Sequence, residues 1–171
     1  MKVANPQPRT ALPDTAADAY LLVRQMGQIA RALKVRYPNL RQIFFTSRIY
    51  AGYATSALNP EPYAYESGFA VKWTVAAQIN EAAGGGVDGR AGSLRYDNGT
   101  APWLAWGPYP WAAGSKPRLD GLSWAQGDFN PSDGTHPAGP ARQKVGGLLL
   151  AFLKSAPESQ CWFLAGRRCG A

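Results

Sequence analysis

Three sets of apolar residues recur at steps of three or four along the chain, which is the spacing of one face of a helix. The sets are Leu22, Met26, Ile29, Leu33 and Tyr37; Phe69, Trp73, Ala76 and Ile79; and Val145, Leu148, Leu149, Phe152 and Leu153. They predict helices over residues 16–37, 66–83 and 137–155. The first is followed by Pro38, the second by Gly84 and the third by Pro157, all residues that end helices.

A short apolar run, residues 42–46, has the composition of a strand and follows the first helix directly. A helix next to a buried strand is typical of an α/β fold, in which helices cover a parallel sheet. Residues 87–130 are dense in glycine, proline and tryptophan and show no period, which favours a packed functional loop. The aromatic residues of this stretch include Trp103, Trp106, Tyr109, Trp111 and Trp124.

Composition indicates one globular domain, since 46% of the 171 residues are hydrophobic and only 17% are charged. The net charge is +7, but the basic residues are scattered, so we predict no specific nucleic-acid site. No apolar run is long enough to span a membrane, and residues 1–6 lack the apolar stretch of an export signal. Cys161 and Cys169 could form a disulfide or stay free thiols, and we predict no metal site.

The candidate chemistry lies around His136, the one histidine of the chain, with Asp133 three residues before it. This spacing lets the carboxylate bind one ring nitrogen and leave the other free as a general base. Alternatively, Asp133 or Thr135 caps the following helix and His136 is a surface residue. The spacing alone leaves both interpretations open, because Asp-x-x-His is a short motif.

Residues 133–137 (DGTHP) and 139–145 (GPARQKV) resemble the last block of SGNH (GDSL-type) hydrolases, whose Asp-x-x-His supplies the acid and base of a Ser-His-Asp triad. Residues 47–54 (SRIYAGYA) and 59–73 (NPEPYAYESGFAVKW) are similar to a bacterial branch of these proteins. The resemblance implies a partial three-layer, flavodoxin-like α/β fold with parallel strands and covering helices. It also implies catalytic roles for Asp133 and His136, no cofactor, and a small-molecule or carbohydrate ester as substrate.

The family's serine block and its two oxyanion-hole blocks are missing, since the chain has no Gly-Asp-Ser and no Gly-x-Asn. We therefore expect a truncated polypeptide that keeps the acid–base half of the site, from an exported parent. Residues 1–163 would be the C-terminal part of one hydrolase domain, with residues 2–4 ending a strand, and residues 164–171 a tail. Ser47, Ser67 and Ser132 lie in no nucleophile elbow, so local polar roles are favoured for them.

Aromatic and basic residues near the predicted strand end are candidates for binding substrate. Tyr50, Tyr53 and Trp106 could stack against a sugar ring or an acyl group, or could instead fill the core. Arg48 could orient a substrate carboxylate, although pairing with Glu61 or Glu66 is favoured. Two functions follow, an SGNH-type esterase or a non-catalytic, aromatic-rich carbohydrate-binding module or inactive remnant.

Overall fold

A computed structural model describes residues 8–169 as a mixed α/β fold. The helices are α1 (Asp18–Arg36), α2 (Tyr63–Ala82), α3 (Gly139–Ser155) and α4 (Pro157–Phe163), and the strands are β1 (Gln42–Phe45) and β2 (Trp103–Trp106). The three predicted helices and the predicted strand are therefore present. The strand end expected at residues 2–4 lies outside the described residues.

The two strands form a parallel pair, as the α/β interpretation requires, with Gln42 opposite Trp103 and Phe45 opposite Trp106. Hydrogen bonds continue past the end of β2, where the Gly107 N–H donates to the Phe45 carbonyl at 2.6 Å. Since β2 lies inside residues 87–130, the prediction that this whole stretch is irregular is wrong. In β1 the side chains alternate, so Ile43 and Phe45 are buried and Phe44 is half-buried.

Helix α1 buries a narrower face than its largest apolar residues suggest. The buried residues are Ala19, Leu22, Val23, Met26, Gly27 and Ala30, which recur at steps of three and four. Leu22 and Met26 were predicted correctly, whereas Ile29 and Tyr37 are exposed. Small residues occupy this face because the chain approaches closely there: a Cβ on Gly27 would lie 2.1 Å from the Ala91 carbonyl oxygen.

Helix α2 packs against α1 and β2 and carries polar side chains on its buried face. The amide of Gln78 donates to the carbonyls of Leu94 and Pro102, at 2.7 and 2.9 Å, and accepts from the Leu104 N–H at 2.7 Å. One turn further on, the Glu81 carboxylate accepts from the Leu94 N–H at 2.6 Å. These bonds fix the main chain that leads into β2, and they supply partners for buried backbone groups.

Helix α3 is much less covered than its apolar stripe predicts, since Ala141 is its one fully buried residue. The Phe152 ring meets Phe44 edge to face at 5.0 Å, but Leu149 is 45% exposed. The prediction of a buried stripe is therefore wrong in its extent. The start of the helix is fixed by an ion pair of 2.6 Å between Lys144 and the buried carboxylate of Asp128.

Helix α4 follows α3 after a single residue and ends at Phe163. Cys161 of α4 and Cys169 are joined by a disulfide, which decides between the two states that the sequence left open. Cys169 is thereby tied to α4. Among residues 8–169, none of the helices combines the length and the apolar character that crossing a membrane requires.

Candidate active site

The Asp133–His136 segment is a closed loop between the short 3-10 turn Gln126–Asp128 and α3. The Asn130 N–H donates to the His136 carbonyl at 2.8 Å across the neck of the loop, and the Gly134 N–H donates to the Asn130 carbonyl at 2.8 Å. Thr55 also anchors the loop, because its N–H donates to the Asp133 carbonyl at 2.9 Å. The loop therefore rests on the chain segment that leaves the carboxyl end of β1.

Within this loop the two residues predicted to interact do so. Asp133 Oδ2 lies 3.0 Å from His136 Nδ1, and Asp133 Oδ1 accepts from the backbone N–H groups of Thr135 and His136 at 2.7 and 2.8 Å. The carboxylate is held by three bonds, so its position relative to the imidazole is fixed. The His136 side chain is 63% exposed, which leaves its other ring nitrogen open to solvent or to a reacting group.

The alternative of a helix cap is wrong. Helix α3 begins at Gly139 with Ala138 as its N-cap, and no side chain caps it. Asp133 instead accepts hydrogen bonds from its own turn, and the Thr135 hydroxyl donates to the Asp133 carbonyl at 3.2 Å. The surface location of His136 that this alternative included is, however, what the structure shows.

The hydrogen bonds from the His136 and Thr135 backbone N–H groups lower the pKa of Asp133 to about 2. A lowered pKa in the folded state means that the charged carboxylate stabilises the loop above the ordinary pKa, and that this stabilisation is lost as the pH falls through the lowered value. We therefore expect the Thr135 and His136 amide NMR signals to report a carboxylate titration with a midpoint of about 2.

The matched control for this titration is Asp133→Asn, in which that transition should be absent at both amides. A carboxylate step near the ordinary aspartate pKa of about 4 would show that the loop is not held in this way.

Each of the three candidate serine hydroxyls donates its hydrogen bond to a residue other than His136. Ser47 is buried and its hydroxyl donates to the Arg48 carbonyl at 3.1 Å. The buried Ser67 hydroxyl donates to the Ala64 carbonyl and accepts from the Arg48 N–H. Ser132 is exposed, but its hydroxyl donates to Asn130 at 3.0 Å. These are the local polar roles that the sequence favoured.

Arg48 lies inside the protein, where only 2% of its surface is exposed. Its Nε and Nη2 atoms are buried without a hydrogen-bond partner, and it forms no ion pair with Glu61 or Glu66. Burial lowers its pKa, while attraction to the more distant Glu61 raises it. Glu61 is already engaged by the Ala51 N–H and by the Trp111 indole N–H. Arg48 is therefore not presented to a substrate at the surface.

Tyr50 and Tyr53 lie beside the Asp133–His136 loop. Gly134 is the contact point, because a Cβ there would lie 1.8 Å from the Tyr53 carbonyl oxygen. The Tyr50 and Tyr53 rings meet edge to face, with 5.2 Å between their centroids. The Tyr50 ring also meets the Trp111 ring edge to face, with 6.4 Å between their centroids. Trp111 in turn lies 4.6 Å from Tyr65. This aromatic row, Tyr53–Tyr50–Trp111–Tyr65, connects the loop to helix α2.

Trp106 lies apart from the loop and lines a cavity of about 460 Å³ beside the carboxyl ends of the two strands. The lining residues are Tyr65, Gly68, Phe69, Lys72, Trp106, Gly107 and Tyr109. Of these, Trp106 is a binding candidate predicted from the sequence, whereas Phe69, Lys72 and Tyr109 were not predicted to bind substrate. A signal was present, since positions 65, 68, 69 and 72 follow the spacing of one helix face.

No group of three or more His, Cys, Asp or Glu side chains is placed to hold a metal ion within residues 8–169. Comparisons of the chain with protein-family models, with curated proteins and with solved structures find no match. The resemblance to SGNH hydrolases therefore rests on the quoted residues alone and stays a prediction.

Proposed function

We propose that this chain supplies the acid–base pair of an SGNH-type ester hydrolase, with His136 as general base and Asp133 as the carboxylate that orients it. The observation that carries the proposal is the 3.0 Å contact between Asp133 Oδ2 and His136 Nδ1, made next to an exposed ring edge. The parallel strands and covering helices support a flavodoxin-like, three-layer arrangement for the whole domain.

In the proposed mechanism, the His136 Nδ1–H donates to Asp133, so Nε2 carries the lone pair. Nε2 accepts the proton of the attacking hydroxyl and later returns it to the leaving alkoxide. Asp133 stabilises the imidazolium that forms between these steps. Because its pKa is about 2, Asp133 stays charged at neutral pH.

The nucleophile of this reaction is not assigned to a described residue, since Ser47, Ser67 and Ser132 are all engaged elsewhere. The family resemblance places a serine block ahead of the region that this chain matches. The disulfide between Cys161 and Cys169 supports an oxidising compartment for this protein, because disulfides persist in such compartments.

The test is ester hydrolysis and active-serine labelling. We expect the 171-residue chain to be nearly inert toward p-nitrophenyl acetate and unlabelled by a fluorophosphonate probe, because a triad acts as a unit. A polypeptide that carries an SGNH serine block ahead of residue 1 should gain both properties. In it, His136→Ala should lower turnover at least about a thousandfold, and Asp133→Asn should lower it by the same factor or less.

The matched control is Asp128→Asn, which alters a carboxylate of the same region that is paired with Lys144 rather than with His136. Its turnover per folded molecule should stay close to that of the parent. Stoichiometric labelling of Ser47, Ser67 or Ser132 in the 171-residue chain would place the nucleophile elsewhere than proposed. If turnover survived the His136→Ala substitution, His136 would not be the general base.

The second candidate function, a non-catalytic carbohydrate-binding module, is supported by the aromatic row. Tyr50, Tyr53 and Trp111 are half-buried and Tyr65 is exposed, so part of each ring reaches the surface. Partly exposed aromatic rings stack against the apolar faces of sugars. This function predicts glycan binding that His136→Ala leaves unchanged.

A further inference from the structure

The cavity lined by Trp106 has walls of aromatic rings that contact one another in pairs. The Trp106 and Tyr109 rings meet edge to face at 6.0 Å, and the Tyr65 and Phe69 rings do so at 5.3 Å. Gly68 lets Tyr109 pack directly on α2, because a Cβ there would lie 3.1 Å from the Tyr109 ring. Arg118 fixes the same wall, since its guanidinium donates to the carbonyls of Tyr109 and Trp111.

Three polar groups reach this apolar cavity. Lys72 is exposed at its edge and is the single charged residue among the described residues that line it. No carboxylate in the described part of the chain forms an ion pair with Lys72. Tyr65 and Tyr109 add phenol groups, and burial followed by the proximity of Tyr65 raises the pKa of Tyr109, so its hydroxyl stays a donor at neutral pH.

We propose that this cavity binds an aromatic carboxylate, with a single planar ring against Trp106, Phe69 and Tyr109 and the carboxylate on the Lys72 ammonium. Its volume of about 460 Å³ suits a small ligand. The site lies at the carboxyl ends of parallel strands, where open α/β sheets bind ligands. Neither Asp133 nor His136 lines it, so the inference stands apart from the proposed hydrolase function.

The lining selects this ligand class over the other ring-shaped candidates. A sugar needs hydrogen-bond partners for the hydroxyl groups around its ring, and the side chains of this lining supply only the Lys72 ammonium and two phenol hydroxyls. A flat aromatic ring has no such groups and gains edge-to-face contacts with the walls. An anion is favoured because Lys72 is unpaired and the chain carries a net charge of +7.

The experiment is calorimetric titration of the 171-residue protein with trans-cinnamate, with the neutral isostere trans-cinnamamide and with glucuronate. We expect cinnamate to bind with a dissociation constant of about 0.1–1 mM. Cinnamamide should bind about fivefold more weakly, because it lacks the charge that meets Lys72. Glucuronate should bind more weakly than cinnamate, since it is a sugar.

Two variants and one control locate the site. Lys72→Gln should weaken cinnamate about fivefold and leave cinnamamide unchanged, and Phe69→Leu should weaken both ligands by removing a ring contact. Lys154→Gln is the control, because it removes an exposed lysine from α3, which does not line the cavity. The Trp106 indole N–H signal should shift on titration with cinnamate.

Four results would overturn the inference. Equal affinities for cinnamate and cinnamamide would show that the cavity does not select an anion. The same conclusion would follow if Lys72→Gln and Lys154→Gln had the same effect on cinnamate binding. If glucuronate bound more tightly than cinnamate, the ligand class would be acidic sugars and not aromatic acids. If cinnamate did not bind at concentrations up to about 10 mM, the cavity would not be a site for aromatic carboxylates.

Discussion

Gln78→Leu is expected to lower the free energy of unfolding by about 3 kcal/mol or more, since it leaves three buried backbone groups without a partner. These groups are the carbonyls of Leu94 and Pro102 and the N–H of Leu104, all bonded by the Gln78 amide within 2.9 Å. Leucine has a similar volume, so the loss comes from the missing hydrogen bonds. For a chain of this size the melting temperature should fall by about 6–12 °C.

The matched control is Gln28→Leu, which makes the same chemical change on the exposed side of α1. Surface substitutions of this kind change stability by about 0.5 kcal/mol or less. Chemical denaturation followed by tryptophan fluorescence measures both variants. If Gln78→Leu and Gln28→Leu were equally stable, the approach to β2 would not depend on the Gln78 side chain.

Gly134→Ala is expected to destabilise the protein by about 2–4 kcal/mol, because two costs add. The backbone of Gly134 has a φ of +62°, which side chains disfavour, and the new Cβ would lie 1.8 Å from the Tyr53 carbonyl oxygen. A backbone atom cannot rotate away, so the loop must separate from the segment after β1. We expect the hydrogen bond from Thr55 to Asp133 to be lost with it.

Gly121→Ala isolates the first of these costs. Gly121 has a φ of +81° and has no atom within 4 Å of the position of an added Cβ. Its replacement should therefore cost only about 1–2 kcal/mol, the backbone penalty alone. Urea unfolding of the two variants gives the difference directly. Equal losses of stability would mean that the contact between Gly134 and Tyr53 is absent in solution.

Hydrophobic spacing located the helices but not all of their buried faces. In α2 the predicted set included Ile79, which is 62% exposed, whereas Gln78 and Glu81 beside it are buried. Polar residues are buried there because they bond to main-chain groups of residues 94–104, which follow later in the chain. A pattern read from neighbouring residues contains no information about such partners.

Strand β2 shows the same limit in another form. It has four residues, and Pro102 and Gly107 flank it, so its sequence resembles the surrounding loop. What makes it a strand is its pairing with β1, some sixty positions earlier. The strand is therefore defined by a tertiary contact rather than by its own composition.

The two candidate sites also differ in whether their residues are close together in the sequence. The contact between Asp133 and His136 joins residues three apart, so their spacing was enough to predict it. The aromatic cavity combines residues 65–72 of α2 with residues 106–109 after β2, and only Trp106 was identified in advance. Arg48 was expected to pair or to face substrate, and the burial of its Nε and Nη2 atoms without a hydrogen-bond partner could not be foreseen from its neighbours in sequence.

The Gln78 amide nitrogen bonds to both Leu94 and Pro102, so one side chain closes the base of the excursion formed by residues 95–101. Residues 95–99, at its outer end, are all exposed. Changes in the length of this loop should therefore not move β2, and insertions or deletions in it should cost little stability. Homologous chains should differ in the number of residues between these two anchors, while the anchors themselves and a hydrogen-bonding side chain at position 78 stay constant.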